Sequence, residues 1–309
     1  MQRDELEWRR RRQKRRRHRQ QKQHALHLLA VVLILVCSVF AGASAIHYYT
    51  SHPPVTSAAP SIRTCLRVYV NNVVLAREAQ EAQSEPESDP EPVVPVDPNS
   101  IIYLTFDDGP SSQVTPTVLD VLERNDIQAT FFIMDYSEEN LPIIQRILAG
   151  GNTIGIHGKS HDYAKCYAEE DAYLDGVAQV RQHLYADTGY DAFCIRFPGG
   201  SSNTISRQYN EGIMTRLVAK VNDSDLEYFD WNVDSQDATG NGIPAETLAA
   251  NVTDNLVKGR GNVVLLHDAG SKATTAESLQ SIIDYARANG FCFKAITQDT
   301  PPVHHRVYN

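Results

Sequence analysis

From Ser100 onward the chain alternates short apolar, β-prone runs with stretches of helical periodicity, and this alternation leaves few folds open. Strand-like runs fall at 101–106, 129–133, 152–156, 192–195, 227–231, 262–266 and 291–296. Helical patterns at 116–124, 141–149, 170–188, 205–221, 245–257 and 274–289 lie between most of them. Thr115 before Pro116 reads as a helix cap followed by a first-turn proline. Gly150-Gly151 and Gly290 read as helix stops. Strands joined through helices pair in parallel, so the expected class is α/β, with the sheet open or closed into a barrel. In either form the C-terminal strand ends share one rim, and chemistry gathers there. A chain of 309 residues at 42% hydrophobic can bury one large core and needs no second.

The unusual residues fall on that rim. The first strand runs through Tyr103-Leu104-Thr105-Phe106 into Asp107-Asp108-Gly109-Pro110. Strand twist would bring both acids to one pocket, where like charges repel unless a cation lies between or beside them. The third strand runs into His157-Gly158-Lys159-Ser160-His161, and two histidines at i and i+4 share a face if that turn is helical. With a carboxylate from a nearby strand end they make a three-ligand set that leaves positions open for water and substrate. The fourth strand supplies Arg196-Phe197-Pro198-Gly199-Gly200-Ser201, an arginine to hold a carboxylate and bare backbone N–H groups for an oxyanion. The fifth leads to Asp230, Asp234 and Asp237, and the sixth delivers His267 and Asp268. Taken singly, these are an Asp-Gly-Pro turn, a surface arginine, a solvated loop and a structural histidine. Aimed together at one rim, they outweigh those separate readings.

The set Thr105-Phe106-Asp107-Asp108-Gly109-Pro110, His157-x3-His161, Arg196-Phe197-Pro198-Gly199, Asp234-x2-Asp237 and Leu265-Leu266-His267 resembles the five motifs of the polysaccharide deacetylases. These form the NodB-homology group, carbohydrate esterase family 4. The resemblance covers about residues 100–300 in unbroken motif order. It implies a distorted (β/α) barrel of about seven strands. It implies Asp107 as general base and Asp108, His157 and His161 as ligands of a divalent metal. Arg196 would orient the base, His267 would be the general acid and Asp237 its tether. Pro198 and Gly199, with Asp234 and Leu265, would line the oxyanion and substrate loops. Zinc suits the ligand set best, and cobalt, nickel or manganese would also bind. Two positions depart from the family pattern. Gly158 replaces a hydroxyl residue after the first histidine, and Ala238 replaces a tryptophan after Asp237.

The implied activity is removal of acetyl groups from N-acetylated amino sugars of an extracellular polysaccharide, with peptidoglycan preferred. Chitin-type oligomers and O-acetyl xylan are rivals for the same chemistry. A catalytically silent glycan-binding domain is the rival from another class, and the intact acid, base and ligand set speaks against it.

Charge divides the chain. Residues 1–24 hold 11 Lys/Arg and three Asp/Glu, whereas 25–309 carry 18 against 35, a net of −17. Such a body offers no basic face to nucleic acid. Positions 28–45 are free of charge, and 18 apolar residues just cross a bilayer as a helix. With the basic tail N-terminal, the tail stays in the cytoplasm and the body goes outside. The reading is a tail (1–24), a single-pass membrane anchor (25–47), a spacer (48–99) that is acidic and Pro-rich at 78–99, the catalytic domain (100–300) and a short tail (301–309). Ala43-Ser44-Ala45 also fits a signal-peptidase site, and both readings export the body. The five cysteines define no pairing; Cys166–Cys194 is one possibility and buried free thiols the other. The anchor reading predicts that the mature protein sediments with membranes and keeps residues 1–45. N-terminal sequencing that finds Ile46 first would replace the anchor with a cleaved leader.

Overall fold

The computed structural model describes residues 96–309. The basic tail, the apolar segment at 25–47 and the linker as far as 95 lie outside the described residues. No described helix is long and apolar enough to cross a membrane.

The sheet is built around β1 (Ile101–Asp107), an apolar run that is buried over nearly its whole length. It is flanked by β2 (Thr130–Ile133) and β7 (Gly261–His267), both parallel to it. The other strands are β3 (Thr153–Ile156), β4 (Cys194–Ile195), β5 (Glu227–Tyr228), β6 (Val233–Asp234) and β8 (Cys292–Phe293). Their order is β5-β4-β3-β2-β1-β7-β6, with β8 beside the first residues of β1. Every ladder is parallel, as connections through helices require. The sheet therefore has eight strands rather than the seven read from sequence. The run at 227–231 does not continue as one strand. Its first residues pair with β4, and the chain then crosses to the far edge, where Asn232 N–H bonds Val263 O and β6 pairs with β7. The two edges of a curled sheet are thus joined by covalent chain rather than by a ladder.

Alternation along β1 sorts its side chains onto two faces. Ile102, Leu104 and Phe106 join the large core beneath the helices, where Phe106 stacks on Phe131 with ring centroids 5.1 Å apart. Tyr103, Thr105 and Asp107 occupy the other face, where Tyr103 packs in a smaller cluster with Phe132, Phe229 and Val263. The site is therefore carried by the inner face of the curl.

The helices of the described residues are α1 (Thr115–Arg124), α2 (Leu141–Ala149), α3 (Tyr163–Tyr167), α4 (Glu170–Thr188), α5 (Ile213–Asp223), α6 (Ala245–Thr253) and α7 (Ala273–Ala288). Thr115 is not the cap expected from sequence but the first helical residue. Ser111 Oγ accepts the Val114 and Thr115 N–H groups instead. The helix expected over 205–221 is broken by Gly212, whose φ of 76° splits it into a turn (Ile205–Gln208) and α5. The pattern at 245–257 stops at Thr253. Among the described residues no disulfide forms, so Cys166 and Cys194 are not bridged; the Cys166 thiol donates to Ser160 O instead.

Gly155 of β3 tests the tightness of the inner face. A Cβ there would come within 2.5 Å of the Phe132 ring and 3.0 Å of Cys194 Sγ. Gly155→Val should cost about 1–3 kcal/mol by overpacking, lowering Tm by about 3–10 °C at this size. An unchanged melting curve would mean that the inner face yields freely.

Candidate active site

Asp107 closes β1, in register with His267 on β7 and Phe132 on β2. Its carboxylate is 2% exposed and faces Arg196, which is completely buried. Arg196 Nη1 donates to Asp107 Oδ1 at 2.9 Å and to Thr105 Oγ1 at 2.7 Å. Its Nε and Nη2 donate to the Phe229 and Asp230 carbonyls, and the guanidinium lies 4.3 Å over the Phe132 ring. The arginine holds one carboxylate oxygen rather than both.

A continuing strand would send Asp108 to the opposite face. Instead its φ is 74°, a left-handed conformation unusual outside glycine, and the carboxylate swings toward the imidazoles. The local backbone, not the strand twist expected from sequence, brings the two acids together. Gly109 follows because a Cβ there would run into the buried carboxylate of Asp268.

The segment between His157 and His161 is irregular rather than helical, contrary to the i, i+4 expectation. The two imidazoles converge all the same: His157 Nε2 lies 3.5 Å and His161 Nε2 3.8 Å from Asp108 Oδ1. One ligand atom from each residue lies within 4.8 Å of the others. His157 Nδ1 is 2.9 Å from Arg196 O, and since a carbonyl only accepts, that nitrogen carries the proton. Nε2 is left with its lone pair directed at Asp108. Burial, only partly opposed by the Asp108 charge, pulls the His157 pKa down to about 3 and keeps the ring neutral. Asp108 Oδ1 is itself buried with no hydrogen-bond partner. A buried oxygen without a partner beside two imidazoles, one held neutral, fits a divalent cation.

The loop after β4 is pinned more fully than the sequence implies. Tyr167 Oη donates to Pro198 O at 2.8 Å, and Gly200 N–H is used by Phe197 O at 2.7 Å. Ser201 donates its N–H and its hydroxyl to the two oxygens of buried Asp230, at 2.8 and 2.5 Å. Asp230 Oδ2 also accepts the N–H of His305, whose ring bridges Ser202 and Trp231 O. Of the Gly199, Gly200 and Ser201 N–H groups, that of Gly199 has no protein acceptor among the described residues. A single bare donor therefore remains where several were expected.

His267 is fixed from two sides. Its Nδ1 is 2.7 Å from Asp237 Oδ1, and its backbone N–H donates to Asp237 Oδ2 at 2.8 Å. Thr275 donates its hydroxyl to the same oxygen. Burial disfavours the charged ring, yet the hydrogen bond and charge of Asp237 outweigh it and raise the His267 pKa to about 9. Asp237 is lowered in turn: burial works against its charge, and the His267 and Thr275 hydrogen bonds prevail. For Asp107, burial pushes the carboxyl above its ordinary range while Arg196 and His267 pull against it. Asp234 and Leu265 stand apart from this cluster. Asp234 Oδ1 caps the turn at Gln236, and Leu265 is buried in the sheet between Thr105 and Asp234. Ala238 is exposed, and the Trp231 ring packs against Gly200 and His305, 5.8 Å from the Arg196 guanidinium.

The polysaccharide deacetylase family profile matches residues 96–216. The catalytic domain of peptidoglycan N-acetylglucosamine deacetylase from Eubacterium rectale superposes with a TM-score of 0.64 at 39% identity, over 74% of this chain and 100% of that one. The chain belongs to the polysaccharide deacetylase family. The peptidoglycan-N-acetylglucosamine deacetylase PgdA of Listeria monocytogenes is 32% identical over 203 residues, which are 65% of this chain but only 39% of that enzyme. A chitooligosaccharide deacetylase of Sinorhizobium fredii is 28% identical, covering 64% of this chain and 91% of that protein. Family membership makes the chain a hydrolase and accounts for the curled parallel sheet with its acids and histidines on one rim.

Several residues of this deacetylase site were not singled out by sequence: Tyr163, Tyr167, Tyr173, Thr275 and His305, and Thr105 was read only as part of its motif, with no role as a partner of Arg196. Most are ordinary hydroxyl or aromatic residues whose partners lie far away in sequence, so no local spacing marks them. The His267–Asp237 pair gives a direct test. The ring should titrate near pH 9 by NMR, and Asp237→Asn should move its midpoint down toward the ordinary 6.5. Because the folded His267 pKa lies above the unfolded value, the stability gained through its protonation is complete below about pH 6.5 and is lost as pH rises through about 9. The contribution of Asp237, lowered in the fold, is lost instead as pH falls into the carboxylate range. A midpoint unmoved by the substitution would sever the link between the two residues.

Proposed function

We propose that this chain is a metal-dependent N-deacetylase of an extracellular amino-sugar polymer, with peptidoglycan the preferred substrate, tethered to the membrane through residues 25–47. The observation that carries the reading is the pairing of opposite proton-transfer groups at one strand register. Asp107 is held as an acceptor by Arg196, and His267 is held as a protonated donor by Asp237.

An N-acetyl amide resists hydrolysis because its carbonyl is weakly electrophilic and an amide anion leaves badly. A divalent cation held by Asp108, His157 and His161, zinc in our reading, supplies electrophilic activation of the acyl group and a more acidic water. The protein's own groups do the rest. Arg196 occupies Asp107 Oδ1, so Oδ2 is the oxygen that takes a proton from the attacking water. The Gly199 N–H is the backbone donor for the developing oxyanion. His267, anchored through Nδ1, gives its Nε2 proton to the departing nitrogen, and Asp237 stabilises the charged ring beforehand. Acetate and a free amine result.

The relatives named above act on peptidoglycan and on chitooligosaccharide, which supports an N-acetyl sugar over acetyl xylan. The exposed Ala238 leaves one side of the rim without a ring. A sugar-stacking platform contributes about 0.5–1.5 kcal/mol by analogy with aromatic pairs, so short oligomers should bind more weakly than long ones. The zinc-loaded protein should release acetate from N-acetylglucosamine oligomers and peptidoglycan fragments. Asp107→Asn should keep metal yet lose about 10²–10⁴-fold in kcat, whereas Asp108→Asn should lose the metal itself. Release from acetyl xylan alone would make the chain an O-esterase. Silence on every acetylated glycan with metal bound would favour a glycan-binding domain.

A further inference from the structure

We propose that the Tyr163 hydroxyl is a second oxyanion donor of this site, completing a cradle for which the backbone supplies only the Gly199 N–H. The proposal rests on the deacetylase reading above.

Three tyrosines on the 163–173 segment line the space between the imidazoles and the loop after β4, and two are spoken for. Tyr167 Oη donates to Pro198 O at 2.8 Å. Tyr173 Oη lies 3.2 Å from both His157 O and Arg196 O. A buried phenol ordinarily finds such a partner. The Tyr163 hydroxyl has none among the described residues, although its ring is half-buried. The ring is held edge-on against His161, with centroids 5.4 Å apart, and packs on Tyr167 at 5.6 Å. Asp162 fixes its position on the chain by capping the first turn of α3 through Ala164 N–H.

The hydroxyl lies so close to Gly199 that a Cβ on that residue would collide with the phenol oxygen. Gly199 also has a φ of 74°, so both backbone conformation and the approach of Tyr163 require glycine there. Tyr163 thus bridges a residue expected to hold the metal and the single bare N–H of the loop. A group that spans those two points is placed to donate to the acyl oxygen as charge builds on it. A neutral phenol keeps its proton throughout, so the contact is a hydrogen bond that strengthens in the transition state and no bond is made or broken.

Tyr163→Phe keeps the ring against His161 and removes only the donor. In the zinc-loaded protein we expect full metal content, an unchanged melting temperature, a KM within threefold of wild type and a kcat lowered about 100-fold, the scale of one lost oxyanion donor. The variant should also bind acetate more weakly by calorimetry, a readout that does not depend on turnover. A kcat and an acetate affinity both within twofold of wild type would overturn the proposal. So would loss of metal along with activity, which would make Tyr163 a support for His161. A raised KM with kcat intact would overturn it too, assigning the hydroxyl to ground-state sugar binding. If wild type releases acetate from no substrate, the deacetylase reading fails by itself, and the acetate comparison still decides whether the phenol touches an acyl oxygen.

Discussion

A fully buried guanidinium is costly unless its donors find acceptors and an opposite charge is at hand. Arg196 places four of its five N–H groups on Thr105, Asp107 and the Phe229 and Asp230 carbonyls, with the Asp107 carboxylate as the opposite charge and Phe132 beneath its face. The strands around it are thereby committed to one arrangement, since removing either partner would leave an uncompensated charge inside the sheet. The backbone of the same residue does a second job. Its carbonyl sets the tautomer of His157 and accepts from Tyr173. One residue therefore orients the proposed base with its side chain and a proposed metal ligand with its main chain. The two halves of the site cannot drift apart independently.

Asp230 repeats this economy on the other side of the loop. Both carboxylate oxygens are consumed in holding Ser201 and His305, so the segment at 303–305 is stitched to the same backbone that carries Gly199 and Gly200. Asn309 reaches further, to Ser206, Gly212 and Thr215. The residues read from sequence as a short tail are fastened into the fold, against the loop after β4 and the start of α5. His304 stacked on Tyr228 at 3.8 Å belongs to the same fastening.

The strand-end logic made much of this legible beforehand. Asp107, Asp108, His157, His161, Arg196, Asp237 and His267 lie together at one rim, because periodicity marks strands and a strand end can be located within a residue or two. The parts that could not be read are those decided by backbone conformation or by distant partners. The left-handed Asp108 has no local signature, since aspartate is common in turns of every kind. The irregular path from His157 to His161 reaches the geometry expected of a helix without being one. The split of 227–231 into strands on opposite edges depends on sheet curvature, which no single segment encodes. Asp234 fits its motif spacing yet caps a turn, because a motif records chain position and not the direction of a side chain.

The register that seats Asp107 beside His267 joins residues 160 positions apart, and the neighbour of β1 on that side, β7, comes from the last third of the described chain. Such long-range pairing is paid for in loop entropy before any contact repays it, and proteins built this way fold slowly. The pairing of β7 with β1 and the meeting of Asp107 with His267 are consequently the same event. On the proposed assignment of roles, a chain folded as far as β5 would hold the base Asp107 and its partner Arg196 but not the acid His267. Hydrolytic competence would then wait on the last long strand to join the sheet.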